Sequence, residues 1–172
     1  SGADYAQRLV CDYYAGYRAA HEEGERIGLK VFPALEVRIA AGPEDYLIYG
    51  VTPEELVDLG CLAFLPLEKL LEKVHSTKNG LLLQAHPFRE YLTCQAPERM
   101  DGVEVCNANP RHDSHNDRAL AFAKANGLLM SAGSDVHQVG DAGGAGVLCP
   151  PFRDIAEFAR LLAAGQTTWF CG

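Results

Sequence analysis

Stretches with helical periodicity, several of them closed by glycine, alternate along this chain with short apolar runs. That pattern leaves few folds open. Short strands that are apolar throughout must be covered on both faces, which implies a mainly parallel sheet flanked by helices. The first helix is expected from Tyr5 to Ile27, with Leu9, Tyr13, Tyr17, Ala20 and Ile27 recurring on one face and Gly28 as its stop. "LKVFPALEVRI" and "YLIYG" then read as strands, the former interrupted by Pro33 near its start. Thr52-Pro53-Glu54-Glu55 is a helix start: Thr52 caps, Pro53 suits the first helical position, and Glu55 completes a capping box. A helix from Pro66 to Asn79 buries Leu67, Leu70, Leu71 and Val74 and ends at Gly80. "LLLQA", "GVEVCN", "LLMSAG", "AGVLC" and "TTWFC" are strands. Between them lie helices from Ser114 to Asn126 and from Phe152 to Ala164, ended by Gly127 and Gly165.

The 172 residues suit a single domain with a sizeable core, so residues 1–172 are read as one unit. A formal charge of −8 argues against a nucleic-acid binder relying on a broad basic surface, because phosphate contacts need Lys and Arg. It leaves room for a small phosphorylated substrate, since bound cations can reverse the local sign. No apolar run approaches the length of a membrane span, and no secretory signal is visible. Six scattered cysteines without a CxxC pair suggest reduced thiols in a cytoplasm, with neither a disulfide framework nor a thiolate zinc site. The pattern sets no oligomeric state.

The polar residues fall where strands should end. Glu36 lies late in its strand, His86 follows "LLLQA", Asn107 closes "GVEVC", and Asp135 and His137 follow "LLMSAG". In parallel α/β folds the carboxyl ends of the strands form the rim on which sites are built. Nitrogen and oxygen donors without thiolate suit zinc, manganese or iron(II). Asp135 and His137 would point the same way on an extended backbone. Taken singly, His86 reads as a hydrogen-bonded loop histidine, Asp135 as a turn residue or cap, and Glu36 as a salt-bridged strand carboxylate. Their shared position at strand ends is what points to a site.

These pieces resemble the polymerase and histidinol phosphatase (PHP) family of metal-dependent phosphoesterases. The resemblance rests on "PALEVRI", "QAHPFR", "DGVEVCNANPRHDSHNDRALAFAKANGL" and "SAGSDVH", in that order along the chain. It implies a distorted seven-stranded β/α barrel with two or three divalent ions (Zn, Mn or Fe) at its C-terminal rim. Metal-bound hydroxide would there attack a phosphate ester. By motif, Glu36 would bridge two ions, His86 would bind the second, Asp135 the first and His137 the third. Glu36 and Asp135 would carry the catalysis, with Asn107 close by.

Two features depart from the family pattern. Its His-x-His and Thr-Asp-His strands are absent, so the chain is expected to lack the first β-α-β segment of the barrel. The ligands that segment carries would come from a preceding part of the protein, or the site has lost them. The second departure is in "EDYLIYG", where Asp45 stands in place of a ligand histidine, as a substituted ligand or a plain turn aspartate. Arg89 and Arg111 are candidates to hold a phosphate with their planar forks, and His112 to line the pocket. The glycine-rich run from Gly140 to Gly146 lacks the lysine of a phosphate-binding loop and reads as a connection beside the site. Cys106 reads as core. Besides a hydrolase of phosphate esters, two functions stay open: a non-catalytic module with a degenerate metal site, and an amidohydrolase-like enzyme.

Overall fold

The structure, a computed structural model, describes residue 8 and residues 11–172. Tyr5 and Leu9, the first turns of the expected N-terminal helix, lie outside the described residues. From there the elements run α1 (Ala15–Ile27), β1 (Leu35–Arg38), β2 (Asp45–Tyr49), α2 (Pro53–Leu59), α3 (Leu67–His75), β3 (Leu81–Gln84), β4 (Gly102–Asn107), α4 (Asn116–Asn126), β5 (Leu129–Gly133), β6 (Ala145–Leu148), α5 (Ile155–Ala163) and β7 (Thr168–Cys171).

Local chemistry trims the expected boundaries. Pro33 has no amide to donate, and the first strand begins only at Leu35. Helix α3 stops at His75, four residues early. The hydroxyls of Ser76 and Thr77 donate to the carbonyls of Lys73 and Val74 there, an alternative to a further helical turn. Helix α5 starts at Ile155 because Asp154, as its cap, accepts from the Glu157 amide at 2.7 Å. The capping box at Thr52 and Glu55 forms as read.

The five strands β1-β2-β3-β4-β5 make one sheet in that order, and only β3, β4 and β5 are parallel. Both β1 and β3 run antiparallel to β2. A six-residue connection joins β1 to β2, too short for the crossover a parallel pair requires. The sheet is therefore mixed, where a mainly parallel one was expected. Strands β6 and β7 form a separate antiparallel pair. Among the described residues the seven strands do not close into the expected barrel, because no ladder joins β5 to β6 or β7 to β1. Hydrogen bonds of Ser134 with Gly143 and Ala145 tie the second pair to the end of β5.

Strand alternation divides the core. Ile48 and Leu82, paired across β2 and β3, face Leu56, Leu67, Leu70 and Val74. Leu47 and Leu83, the next pair, face Ile155, Phe158 and Leu162 of α5. In β4, Val103 and Val105 pack with Met130 and Ala123. Glu104, between them, stands opposite Ser131 of β5. Cys106 of β4 and Cys171 of β7 form a disulfide with their Cα atoms 6.1 Å apart. This corrects the reading of all six cysteines as free thiols, since the fold brings together two residues 65 positions apart. Among the described residues no helix is long and apolar enough to cross a membrane.

Candidate metal centre

The ladder between β2 and β3 continues one step past the strands, where the Ala85 amide donates to the Asp45 carbonyl at 3.0 Å. This carries His86 to the side of Asp45. His86 takes a left-handed backbone (φ 31°), rare for a residue with a side chain, and is only 4% exposed. Its Nε2 lies 3.6 Å from Glu36 Oε1 and 3.8 Å from Asp45 Oδ2, while Nδ1 is buried without a partner. Glu36, on the edge strand β1, keeps its side chain 44% exposed.

Glu36, Asp45 and His86 each offer a donor atom within 4.8 Å of the others. The separations are too long for hydrogen bonds. The two from His86, 3.6 and 3.8 Å, are close to what ligands around one small ion require, about 3.4 Å for a tetrahedron with bonds of about 2.1 Å. One imidazole and two carboxylates are also the right donors for zinc, manganese or iron(II). The residues fit a divalent cation. One charge competes with it: Arg38, facing Asp45 across the β1–β2 ladder, donates to both its oxygens at 2.8 and 2.6 Å.

Asp135 and His137 form a second, adjoining cluster outside the group that His86 shares with Glu36 and Asp45. The extended backbone expected at "SDVH" is replaced by a left-handed turn at Asp135 (φ 49°). Asp135 Oδ2 accepts from Arg89 at 2.5 Å and from Asn107 at 3.2 Å. Burial alone would raise the pKa of this carboxyl, but the bonds from Arg89 and Asn107 outweigh it and hold the group below the usual aspartate range. His137 is largely exposed, its Nδ1 3.0 Å from the Asp135 carbonyl and its amide on Asp141.

The candidate phosphate handles are already engaged. Arg89 is buried against Asp135, Asn107 and Ser114. Arg111 forms a fork with Asp141 and, with two amide donors, keeps that carboxyl well below its ordinary range. His112 is exposed and lines, with Arg89, Arg111 and His115, a cleft of about 480 Å³.

Residues the sequence reading passed over bind these parts together. Glu104 Oε2 accepts from the His86 amide at 2.9 Å and from Asn107 Nδ2 at 3.0 Å. Burial pushes its carboxyl up to about 7, against the pull of those two bonds. Asn109 donates to the Asp135 carbonyl and lies 3.3 Å from His137 Nδ1. The available signal was a lone carboxylate in the middle of an apolar strand, "GVEVC".

Fold and donors together define a mixed α/β domain with an oxygen- and nitrogen-rich centre at its strand ends, suited to a divalent cation. Residues 113–167 match the family model described as PHP-associated, a segment holding Asp135 and His137 but not Glu36, Asp45 or His86. That match covers about a third of the chain and agrees with the motifs on which the resemblance in the sequence rests. PsfC from Pseudomonas syringae shares the fold at 21% identity and a TM-score of 0.66, over 84% of this chain and 61% of that one. The chain thus spans about 61% of the length of that relative. A protein from Bifidobacterium adolescentis, described as a "putative metal-dependent phosphoesterase", is 16% identical with a TM-score of 0.48, over 87% of this chain and 82% of that one. Against curated proteins the chain has no significant sequence match.

Proposed function

We propose that this chain acts as a metal-dependent hydrolase of small phosphate esters, with Glu36, Asp45 and His86 holding a zinc, manganese or iron(II) ion. The observation that carries this reading is the open triangle of these three side chains, with a buried imidazole facing two carboxylates at 3.6 and 3.8 Å. A bound divalent ion would supply Lewis acidity and offset charge on the phosphoryl oxygens. The chain's own residues do the rest. His86, held out of water, offers a nitrogen that needs little desolvation. Glu36, on the solvent side, is placed to take a proton from an incoming water. Arg89 keeps Asp135 ionised, and Asn107 and Asn109 fix its orientation. The cleft beside Arg89, Arg111 and His112 accommodates the rest of the phosphorylated substrate.

The ion pairs Arg38–Asp45 and Arg89–Asp135 favour a second reading, a non-catalytic module that holds at most one loose ion. Metal analysis after loading with zinc, manganese or iron(II) separates the two, together with a panel of phosphomonoesters and phosphodiesters. The hydrolase should retain at least one ion per chain and turn over an ester, with both lost in His86→Ala. A protein that holds an ion without turnover on any ester is the module. One that retains no ion ends the metal-dependent reading.

A further inference from the structure

We propose that Glu104 is a positioning residue, fixing the main chain of His86 so that its ring faces Glu36 and Asp45. The proposal rests on the metal reading given above. Among the described residues three non-glycine residues have left-handed backbones, His86, His115 and Asp135. Two of these stand just past the ends of β3 and β5, and β4 lies between those strands. Such conformations persist only where surrounding contacts over-determine them.

The His86 carbonyl accepts from the Arg89 amide at 3.2 Å, and the contact at its amide comes from Glu104. Its Oε2 accepts the His86 amide at 2.9 Å and Asn107 Nδ2 at 3.0 Å, and Asn107 Nδ2 lies 3.2 Å from Asp135 Oδ2. One carboxylate and one amide therefore hold both left-handed residues in a single network. The arrangement is built for the carboxylate. Glu104 is 5% exposed, and a Cβ at Gly133 would stand 3.1 Å from its Oε1, tighter than such contacts ordinarily are. No Lys or Arg among the described residues pairs with Glu104, whose partners are a main-chain amide and a side-chain amide. A buried carboxylate without a counter-charge is costly, and an apolar residue would serve packing better. What the carboxylate adds is the bond to His86.

The test uses two variants of the full chain, Glu104→Asp and Glu104→Gln. Aspartate keeps a carboxyl group but is one methylene too short to reach the His86 amide. Glutamine keeps the reach, and its oxygen can accept both bonds. Co(II) is the probe, read by its visible absorption, alongside the His86 amide resonance in metal-free protein. Glu104→Asp should weaken Co(II) binding by about 10- to 100-fold, as loss of a residue supporting a metal ligand does. It should also shift the His86 amide. Glu104→Gln should stay within about threefold of wild type in affinity, the usual context spread for one bond, with the amide unmoved. Co(II) affinity retained in Glu104→Asp, or lost equally in Glu104→Gln, overturns the proposal. If the wild-type chain itself ignores Co(II), the metal reading fails on its own. The positioning role is then decided by the metal-free resonance, and an unmoved His86 amide in Glu104→Asp defeats it.

Discussion

Arg38 Nη2 sits 2.6 Å from Asp45 Oδ2, the same oxygen that lies 3.8 Å from His86 Nε2. A divalent cation held as proposed would therefore compete with a guanidinium for one carboxylate. The pairing follows from register, since Arg38 and Asp45 face each other across β1 and β2. The Arg38 side chain is 59% exposed, and ion pairs so placed are worth about 1 kcal/mol or less. Arg38→Met should thus raise divalent affinity by about fivefold, the equivalent of that energy. Titration calorimetry with Zn(II) checks it. A fall in affinity would instead make Arg38 part of the scaffold that aims Asp45.

Asp135 is the carboxylate partner of a buried arginine. Arg89 is 6% exposed, and without Asp135 its guanidinium keeps only Asn107 and Ser114 as partners. Breaking a buried pair from one side costs about 3–5 kcal/mol. Asp135→Ala should lose about that much in urea unfolding, whereas Asp135→Asn keeps an oxygen facing Arg89 and should lose about half as much. An alanine variant within 1 kcal/mol of wild type, a loss no larger than that of an ordinary exposed pair, would show that Arg89 finds other partners.

Much of the fold was legible where the signal is local. Thr52 and Glu55 mark a helix start through bonds spanning three residues, and Gly127 ends α4 with a left-handed φ of 64°. Strand β4 has the bounds its apolar run suggested. Pairing direction was less legible, because periodicity says which face a residue takes and nothing about which way its neighbour runs. The antiparallel place of β2 between β1 and β3 therefore emerges only in three dimensions. The site divides along the same line. Glu36 and His86 were readable at strand ends and Asp45 through the resemblance, but Asp135 separates from them because it meets Arg89, 46 residues away. Glu104 escaped notice because strand alternation treats it as one outward residue between Val103 and Val105.

The pH dependence of stability follows from Glu104. Its carboxyl is pushed up from about 4.5 to about 7 in the folded chain by burial. Between these values the folded protein keeps a proton that the unfolded chain has released. Stability is therefore highest below about pH 4.5 as far as this group decides it, falls as pH rises toward 7, and is flat above. The drop is about 3 kcal/mol. Asp135, whose carboxyl is held below its usual range, acts with the opposite sign, in more acidic solution. Urea unfolding at pH 5 and pH 8 should show wild type less stable at the higher pH and Glu104→Gln nearly level. Equal slopes in the two proteins would mean Glu104 titrates as an ordinary carboxylate.

The disulfide between Cys106 and Cys171 fastens the β6–β7 pair to the strand that carries Glu104 and Asn107. Asn116 bridges the same place, with its side-chain amide near both sulphurs and on the Asn107 carbonyl, and its oxygen accepting the Asn107 amide at 3.0 Å. Reduction should therefore loosen β7 while Asn116 still holds the end of β4. Closing a loop across 65 residues restricts the unfolded chain by about 4 kcal/mol in the chain-entropy account. Dithiothreitol and Cys171→Ser should each lower stability by up to that amount, and the two should not add, because both remove one cross-link. Cys106→Ser should cost more, since Cys106 is fully buried and the new hydroxyl would be short of partners. Thiol titration of the unreduced, urea-unfolded protein gives the direct check. Four reactive thiols, Cys11, Cys61, Cys94 and Cys149, are expected. Finding all six would mean that β7 is held by packing and Asn116 alone, and that reductant should leave stability unchanged.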